Sequence, residues 1–214
     1  GVEHAFFSPG DRGGARRALG IGDHPVLVFV GRIQPLKGLD VAVGALAALQ
    51  RPDAELVVVG GPSGQAGEAE LARVTTLAEH LGVAHQIRFV PPQPHHLLST
   101  YYRAADVVLV PSRSESFGLV ALEAGACGVP VVAAAVGGLR TLVHHGRTGL
   151  LVERRDPQAF ADATRRILDD PAWAASLGRA AAHDATGFTW STAAAKLRRI
   201  YADVANRVPV DCAA

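Results

Sequence analysis

Residues 107–123 of the chain, VVLVPSRSESFGLVALE, decide the fold class and mark the candidate site. The apolar run Val107–Val110 predicts a buried strand, and the segment from Leu119 onward predicts a helix. Two acids, Glu115 and Glu123, are separated by seven residues, and a turn of small residues lies between them. Glu115 is therefore expected at the carboxyl end of a strand and Glu123 on the following helix. Both would face the crevice in which open α/β sheets bind ligands.

The residue types around this crevice predict the chemistry of its ligand. Backbone amides at the start of a helix attract an anion. Carboxylates hold phosphate poorly, but they accept hydrogen bonds well from vicinal hydroxyls. A ligand that satisfies both carries phosphate groups and diols, as a nucleotide sugar does.

Two cations, Arg32 and Lys37, follow the first apolar run of the chain. Such a pair can neutralise a diphosphate, because arginine supplies a planar fork of donors and lysine a point charge. By themselves they would be ordinary surface cations. Together with the two acids, they favour the diphosphate interpretation.

The rest of the chain alternates apolar runs with helical patterns. Further strands are predicted at Val26–Val30, Leu56–Val59, Ile87–Val90, Val131–Ala134 and, as a shorter candidate, Gly149–Val152. Helices are predicted at residues 38–50, 67–81, 95–104, 119–127 and 157–169. Continuous Val/Leu runs are typical of a parallel sheet that is buried on both faces. The predicted fold class is therefore α/β, a Rossmann-like doubly wound parallel sheet.

The last part of the chain has a different pattern, helices only, from about residue 171 to 207. We predict one Rossmann-like domain at residues 1–186, followed by a C-terminal helix and tail at residues 187–214. Apolar side chains recur at helical spacing in this helix, at Trp190, Leu197, Ile200, Tyr201 and Val204. The helix either packs on its own domain or reaches toward a partner domain.

Composition bounds the classes of function. The 214 residues carry a net charge of +1, which gives no argument for nucleic acid or membrane partners. All but two of the 21 basic residues are arginines. Two cysteines without metal or redox spacing favour a reducing compartment, so a cytoplasmic location is predicted, with Cys127 as a small core residue. The chain contains no methionine, and we expect it to be a fragment or a processed product.

Two other motifs allow more than one interpretation. The glycine-rich segment Gly60–Gly64 follows a strand and either brings backbone near a ligand or forms a plain turn. The histidine pairs His95-His96 and His144-His145 are adjacent in sequence, so their side chains diverge. Metal binding needs convergent side chains, and surface or capping roles are therefore favoured.

Several motifs together resemble one known family. They are Gly31-Arg32 with Lys37-Gly38, the Glu115–Glu123 pair, Gly128–Val132, and Gly137-Gly138 followed by Gly149–Val152. The chain resembles the nucleotide-sugar half of retaining glycosyltransferases of family 4, which have the GT-B fold. The likeness spans nearly the whole chain. Within the family, it is similar to members that transfer N-acetylglucosamine from UDP to 1D-myo-inositol 3-phosphate in the mycothiol biosynthesis of actinobacteria.

The resemblance implies roles for individual residues. Catalysis and stabilisation of the leaving UDP would depend on Arg32, Lys37 and Glu115. The same three would bind the donor, together with Gln93 at the base, Ser116, Phe117, Gly118 and Leu119 beside the sugar, and Glu123 at the ribose diol. Because the carboxylate of Glu123 would serve the ligand, its loss is expected to cost affinity and little stability.

The resemblance also implies cofactors and partners. No metal is required for catalysis, since protein cations face the diphosphate. A structural Mg²⁺ is expected on backbone oxygens of Tyr102, Arg103, Ala105 and Val129. The partners would be a UDP-sugar donor, an inositol phosphate or other small acceptor held by a missing N-terminal half, and a second copy in a homodimer. Front-face attack without a covalent intermediate would retain the configuration of the sugar, and the isolated chain would be inactive.

Three alternatives stay open at this point. The chain could belong to another family 4 enzyme with a different sugar or acceptor. It could be a stand-alone nucleotide-sugar-binding module without catalysis. It could also be a sugar-phosphate isomerase or epimerase, because related sheets support those activities.

Overall fold

A single six-stranded parallel sheet forms the centre of the computed structural model, which describes residues 1–205. The strand order is β3-β2-β1-β4-β5-β6, and every neighbouring pair is parallel. The strands are β1 (Val26–Val30), β2 (Glu55–Val59), β3 (Ile87–Val90), β4 (Val107–Val110), β5 (Val131–Ala134) and β6 (Gly149–Val152). The predicted Rossmann-like doubly wound sheet is confirmed, and each apolar run forms the strand expected of it.

Helices connect the strands and follow the last one. They are α1 (Arg12–Leu19), α2 (Leu39–Leu49), α3 (Gly64–His80), α4 (Leu98–Ala104), α5 (Leu119–Ala126), α6 (Leu139–Leu142), α7 (Pro157–Leu168), α8 (Pro171–Ala185) and α9 (Trp190–Ala205). The helix predicted at residues 95–104 is divided, because a 3₁₀ turn at His95–Leu97 precedes α4. The short helices α1 and α6 were not predicted.

Each face of the sheet is covered by helices, and this accounts for the continuous apolar runs. Leu27 and Phe29 of β1 belong to the core that contains residues of α2, α3 and α7. Val26 and Val28 of the same strand belong to the core on the opposite face, with residues of α1, α4 and α5. The central strands β1, β4 and β5 can be buried on both faces because their side chains are apolar at every position.

The sheet has one topological switch point, between β1 and β4. From β1 the strands proceed outward to β2 and β3, and from β4 they proceed outward to β5 and β6. The crossovers on the two sides therefore diverge, and a crevice opens beyond the carboxyl ends of β1 and β4. The loops at residues 31–38 and 111–118 enclose this crevice, as expected for the two cations and for Glu115.

Helix α9 lies outside both cores. None of its residues is buried, and its apolar side chains are exposed, with Trp190 at 60% and Tyr201 at 67%. The backbone just before it is tied to the start of the chain, since Val2 N–H donates to Phe188 O at 2.7 Å. The division into residues 1–186 and 187–214 stays a prediction, and residues 206–214 lie outside the described residues. Within residues 1–205, no helix combines the length and apolar character needed to cross a membrane.

Candidate functional site

The loops that follow β1 and β4 touch through their backbones. Arg113 N–H donates to Leu36 O at 2.8 Å. Gly38 adopts a φ of +77°, and a Cβ at this position would lie 2.2 Å from Pro111 O. Only glycine tolerates both the left-handed backbone and this approach. Gly38 therefore fixes the spacing of the two loops at the switch point.

Lys37 and Glu115 face each other across this junction. Lys37 Nζ donates to Glu115 Oε2 at 2.7 Å, and their side chains are 24% and 15% exposed. Ser112 Oγ lies 3.5 Å from the same oxygen, at the limit of a hydrogen bond. The sequence placed both charges at one crevice, and the structure brings them together as an ion pair.

A third loop, which follows β5, contacts the backbone of Glu115. Gly138 N–H donates to the backbone oxygen of Glu115 at 2.9 Å. A Cβ on Gly137, whose φ is +45°, would lie 2.0 Å from that oxygen. The two glycines therefore let the loop approach closely and hold the backbone of the acid in place.

The start of α5 completes the wall of the crevice. Gly118 caps the helix with a φ of 98°, and no side chain satisfies the first amides. Ser116 and Phe117 precede it and are exposed, and Leu119 is 46% exposed. Unpaired amides at a helix start carry partial positive charge. This end of α5 therefore presents donors and apolar surface side by side.

Two further predicted donor-binding residues lie in loops at the carboxyl ends of strands, on the same side of the sheet as the crevice. Arg32 is exposed, and no ion pair involves it within the described chain. Gln93 is half-buried, and its amide nitrogen donates to Pro91 O of its own loop at 2.9 Å. These residues follow β1 and β3 respectively.

The glycine-rich segment after β2 supports the loop after β1. Ile33 N–H donates to Gly61 O at 2.9 Å. A Cβ on Gly60 would lie 1.9 Å from Gly31 O, so the two backbones touch. Of the two interpretations, the structure favours a turn that positions the Arg32–Lys37 loop.

Glu123 is buried, and its carboxylate already has partners in the chain. His95 Nε2 lies 2.7 Å from Oε1, and Tyr102 donates its hydroxyl to Oε2 at 2.9 Å. Sequence reasoning missed both contacts: His95 is exposed, as a surface role implies, but its contact with a buried acid has no sequence signal, and Tyr102 was considered only for its backbone. The contact with Tyr102 argues against the expectation that loss of this carboxylate leaves stability nearly unchanged, since the buried phenol would lose its acceptor.

Burial raises the pKa of the Tyr102 hydroxyl in this cluster and of the nearby Cys127 thiol. It raises the pKa of Tyr102 well above its usual value, and the charge of Glu123 acts in the same direction. The phenol therefore stays protonated and remains a donor. Burial also raises the pKa of the Cys127 thiol to about 12, as expected for a core cysteine.

The residues expected to hold Mg²⁺ lie at the amino ends of the strands, on the opposite side of the sheet from the crevice. A cavity of about 580 Å³ near the amino ends of β4 and β5 is lined by Arg103, Ala105 and Val129. The backbone oxygen of Tyr102 already accepts a hydrogen bond from the Ala105 N–H at 3.0 Å. Backbone carbonyls are the type of ligand that Mg²⁺ accepts, and the cavity has room for waters. No cluster of three or more His, Cys, Asp or Glu residues suited to a metal is found in residues 1–205. A structural Mg²⁺ stays a prediction.

The fold and the site define a class of protein, a Rossmann-like domain with charged loops at its switch point, of the kind that forms one half of a GT-B structure. A family model for glycosyl transferases group 1 matches residues 11–184. The chain belongs to this family.

Individual relatives agree with this assignment. The D-inositol 3-phosphate glycosyltransferase of Frankia alni is 51% identical over 208 residues, which are 94% of this chain and 51% of that protein. Sucrose-phosphate synthase from Thermosynechococcus elongatus superposes with a TM-score of 0.89 at 38% identity, over 97% of this chain and 52% of the other. Anabaena HepE, solved in complex with UDP and glucose, gives a TM-score of 0.88 at 25% identity, over 95% and 55%. The chain spans about half the length of the curated relatives it matches.

Proposed function

We propose that this chain is the donor-binding half of a retaining glycosyltransferase. The enzyme would transfer N-acetylglucosamine from UDP-N-acetylglucosamine to 1D-myo-inositol 3-phosphate. The observation that carries the proposal is the Lys37–Glu115 pair at the switch point of the sheet. A cation beside a hydroxyl acceptor suits the two recognisable groups of a sugar diphosphate, its phosphates and its hydroxyls. Support comes from relatives named for an inositol 3-phosphate acceptor and from HepE, which was solved with UDP.

Lys37 would stabilise the diphosphate without leaving Glu115. An ammonium group has three donors, and Glu115 uses one of them at 2.7 Å. The remaining donors and the exposed guanidinium of Arg32 would meet the negative charge that develops on the departing UDP. Preorganised cations act most strongly there, because little reorganisation is needed when the bond breaks.

Glu115 would orient the sugar. Gly138 donates to its backbone oxygen, and Lys37 holds its carboxylate by a contact of 2.7 Å. A carboxylate held in this way accepts hydrogen bonds from two sugar hydroxyls and sets the angle at which the anomeric carbon faces the acceptor. Attack from the face of the departing diphosphate would then retain the anomeric configuration.

The acceptor would be held by a second half, which this chain does not contain. The exposed apolar face of α9 supports this, because five large side chains lie uncovered on a helix with no buried residue: Trp190, Leu197, Ile200, Tyr201 and Val204. Contiguous exposed apolar surface marks an interaction site. We therefore expect α9 to pack toward the acceptor-binding half and the isolated chain to be inactive.

The test is transfer of radiolabelled N-acetylglucosamine to inositol 3-phosphate, by the chain alone and with the acceptor-binding half of a relative supplied as a separate domain. We expect no product from the chain alone, product when the halves are combined, and slower hydrogen exchange in α9 upon combination. Rapid transfer by the chain alone would contradict the half-enzyme proposal. UDP binding without transfer in the combined sample would favour a stand-alone binding module. Turnover only with another sugar or acceptor would indicate a different activity within the family.

A further inference from the structure

The proposed contact between Glu123 and a ribose diol meets an obstacle in the structure. The Glu123 side chain is only 7% exposed, and each of its oxygens accepts a hydrogen bond from within the chain. A diol needs at least one of these oxygens to face the crevice. Each oxygen keeps a second lone pair, but the carboxylate is almost fully covered, so a group that shields one oxygen has to move before a nucleotide can reach it.

The two donors differ in their freedom to move. Tyr102 is fully buried on α4, so its hydroxyl cannot leave Oε2 without opening the core. His95 begins an exposed 3₁₀ turn with no buried residue, and its side chain is 63% exposed. A rotation of the His95 side chain releases Oε1 and costs only the contact of its ring with Phe7, whereas Tyr102 stays in place.

We infer that His95 is a latch on Glu123. In the free protein, its Nε2 lies 2.7 Å from Glu123 Oε1, and its ring packs on Phe7 with the centroids 4.9 Å apart. The ribose of the nucleotide displaces the imidazole and takes its place on Oε1. This inference rests on the proposed function, since it requires Glu123 to meet the ribose.

A latch has a different consequence from an orienting residue. Tyr102 and the buried position of Glu123 on α5 already fix the carboxylate, so His95 is not needed to aim it. Each nucleotide that binds has to break the contact with His95. The apparent affinity for the nucleotide is therefore the intrinsic affinity multiplied by the fraction of molecules in which the latch is open. Removal of the latch therefore strengthens the binding of any ligand that uses Oε1.

The experiment compares two ligands on three proteins. UDP and 2′,3′-dideoxy-UDP, which lacks the ribose hydroxyls, are titrated calorimetrically into the unmodified chain, His95→Ala and His96→Ala. His96 is the matched control, because it lies in the same turn and its ring contacts Phe6, with the centroids 5.8 Å apart, instead of meeting Glu123. We expect His95→Ala to bind UDP about two- to fivefold more tightly, the lower part of the range that one hydrogen bond contributes. Its affinity for dideoxy-UDP should not change, and His96→Ala should match the unmodified chain with both ligands.

A second measurement needs no variant that has to fold. The imidazole resonances of His95 in the unmodified chain should shift when UDP is added and should keep their positions when dideoxy-UDP is added. Weaker or unchanged UDP binding by His95→Ala, or equal shifts with both ligands, would overturn the latch. Equal affinity of the unmodified chain for UDP and dideoxy-UDP would instead show that Glu123 does not meet the ribose, and it would remove this part of the proposed function as well.

Discussion

Lys37 and Glu115 form an ion pair of 2.7 Å between the loops that follow β1 and β4. The two residues are 78 positions apart in the chain, and the parallel sheet brings their loops to the same end of neighbouring strands. Each side chain is less than a quarter exposed, and each compensates the charge of the other. The crevice therefore holds a directed cation and a directed acid before any ligand arrives.

Replacing Lys37 should weaken UDP binding. In Lys37→Ala the diphosphate loses a charged hydrogen bond, and we expect Kd to rise about 10- to 150-fold. The matched control is Lys196→Ala on the exposed face of α9, the only other lysine of the chain. Calorimetric titration with UDP measures both. An unchanged Kd for Lys37→Ala, or an equal loss in the control, would count against the diphosphate role.

Replacing Glu123 should lower both affinity and stability. Glu123→Ala removes the ribose acceptor and leaves the buried hydroxyl of Tyr102 unpaired, which costs about 1–3 kcal/mol of unfolding free energy. Tyr102→Phe is the control, because it removes the same hydrogen bond and keeps the carboxylate. It should lose stability and retain most of its UDP affinity. Urea unfolding and UDP titration of both variants separate the two roles, and an unaltered stability of Glu123→Ala would contradict the contact.

The buried phenol predicts a loss of stability at high pH. Burial, reinforced by the Glu123 charge, raises the folded-state pKa of Tyr102 above the usual value of about 10. In the unfolded chain, Tyr102 loses its proton near that value, while in the folded chain it keeps it. Its stabilising contribution is therefore complete below pH 10 and is lost as the pH rises above it. Urea unfolding between pH 8 and 11 should show a steeper decline for the unmodified chain than for Tyr102→Phe.

Gly38 should be more sensitive to substitution than another glycine with a similar backbone. Gly38→Ala combines a left-handed φ of +77° with a Cβ placed 2.2 Å from Pro111 O. Gly20→Ala has a φ of +64° and no atom within 4 Å, so it should cost only the backbone strain of about 1–2 kcal/mol. We expect Gly38→Ala to be clearly less stable in thermal unfolding and to bind UDP more weakly. Equal effects of the two variants would show that the loops are not held by this contact.

Donor binding should not depend on a divalent metal. The cations at the crevice, Lys37 and Arg32, belong to the protein, so the Kd for UDP should be the same with a chelator and with Mg²⁺. If backbone carbonyls at the opposite edge of the sheet hold a structural Mg²⁺, the ion should raise the melting temperature without altering that Kd. Binding of UDP only in the presence of Mg²⁺ would contradict the first expectation.

The sequence predicted those features that depend on patterns along the chain. The strand at Val107–Val110 and its parallel neighbours follow from continuous apolar runs, and the site follows because loops after parallel strands share one edge. The helix α1 was missed because it has few apolar residues. It is anchored by the buried Arg16, whose guanidinium donates to Ala104 O at 3.0 Å and to Asp106 at 2.7 Å. No local sequence pattern predicts that Arg16 finds hydrogen-bond acceptors about 90 residues away.

The contacts within the site were less predictable than its location. The pairing of His95 with Glu123 depends on where a 3₁₀ turn places one side chain relative to a helix 28 residues later. The adjacent His96 has the same residue type and the same turn but faces Phe6. Only the fold distinguishes the two histidines, so composition and spacing could not assign a role to either.

Helix α9 has a consequence for how such domains diversify. None of its described residues is buried, so the sheet and both of its cores close without it. The stability of the domain and the proposed contact with a second half would therefore be encoded in separate stretches of the chain. Substitutions on the exposed side of α9 leave the domain's own folding intact. In the proposed enzyme, this helix is accordingly where the sequence would be free to coevolve with a changing partner while the crevice stays the same.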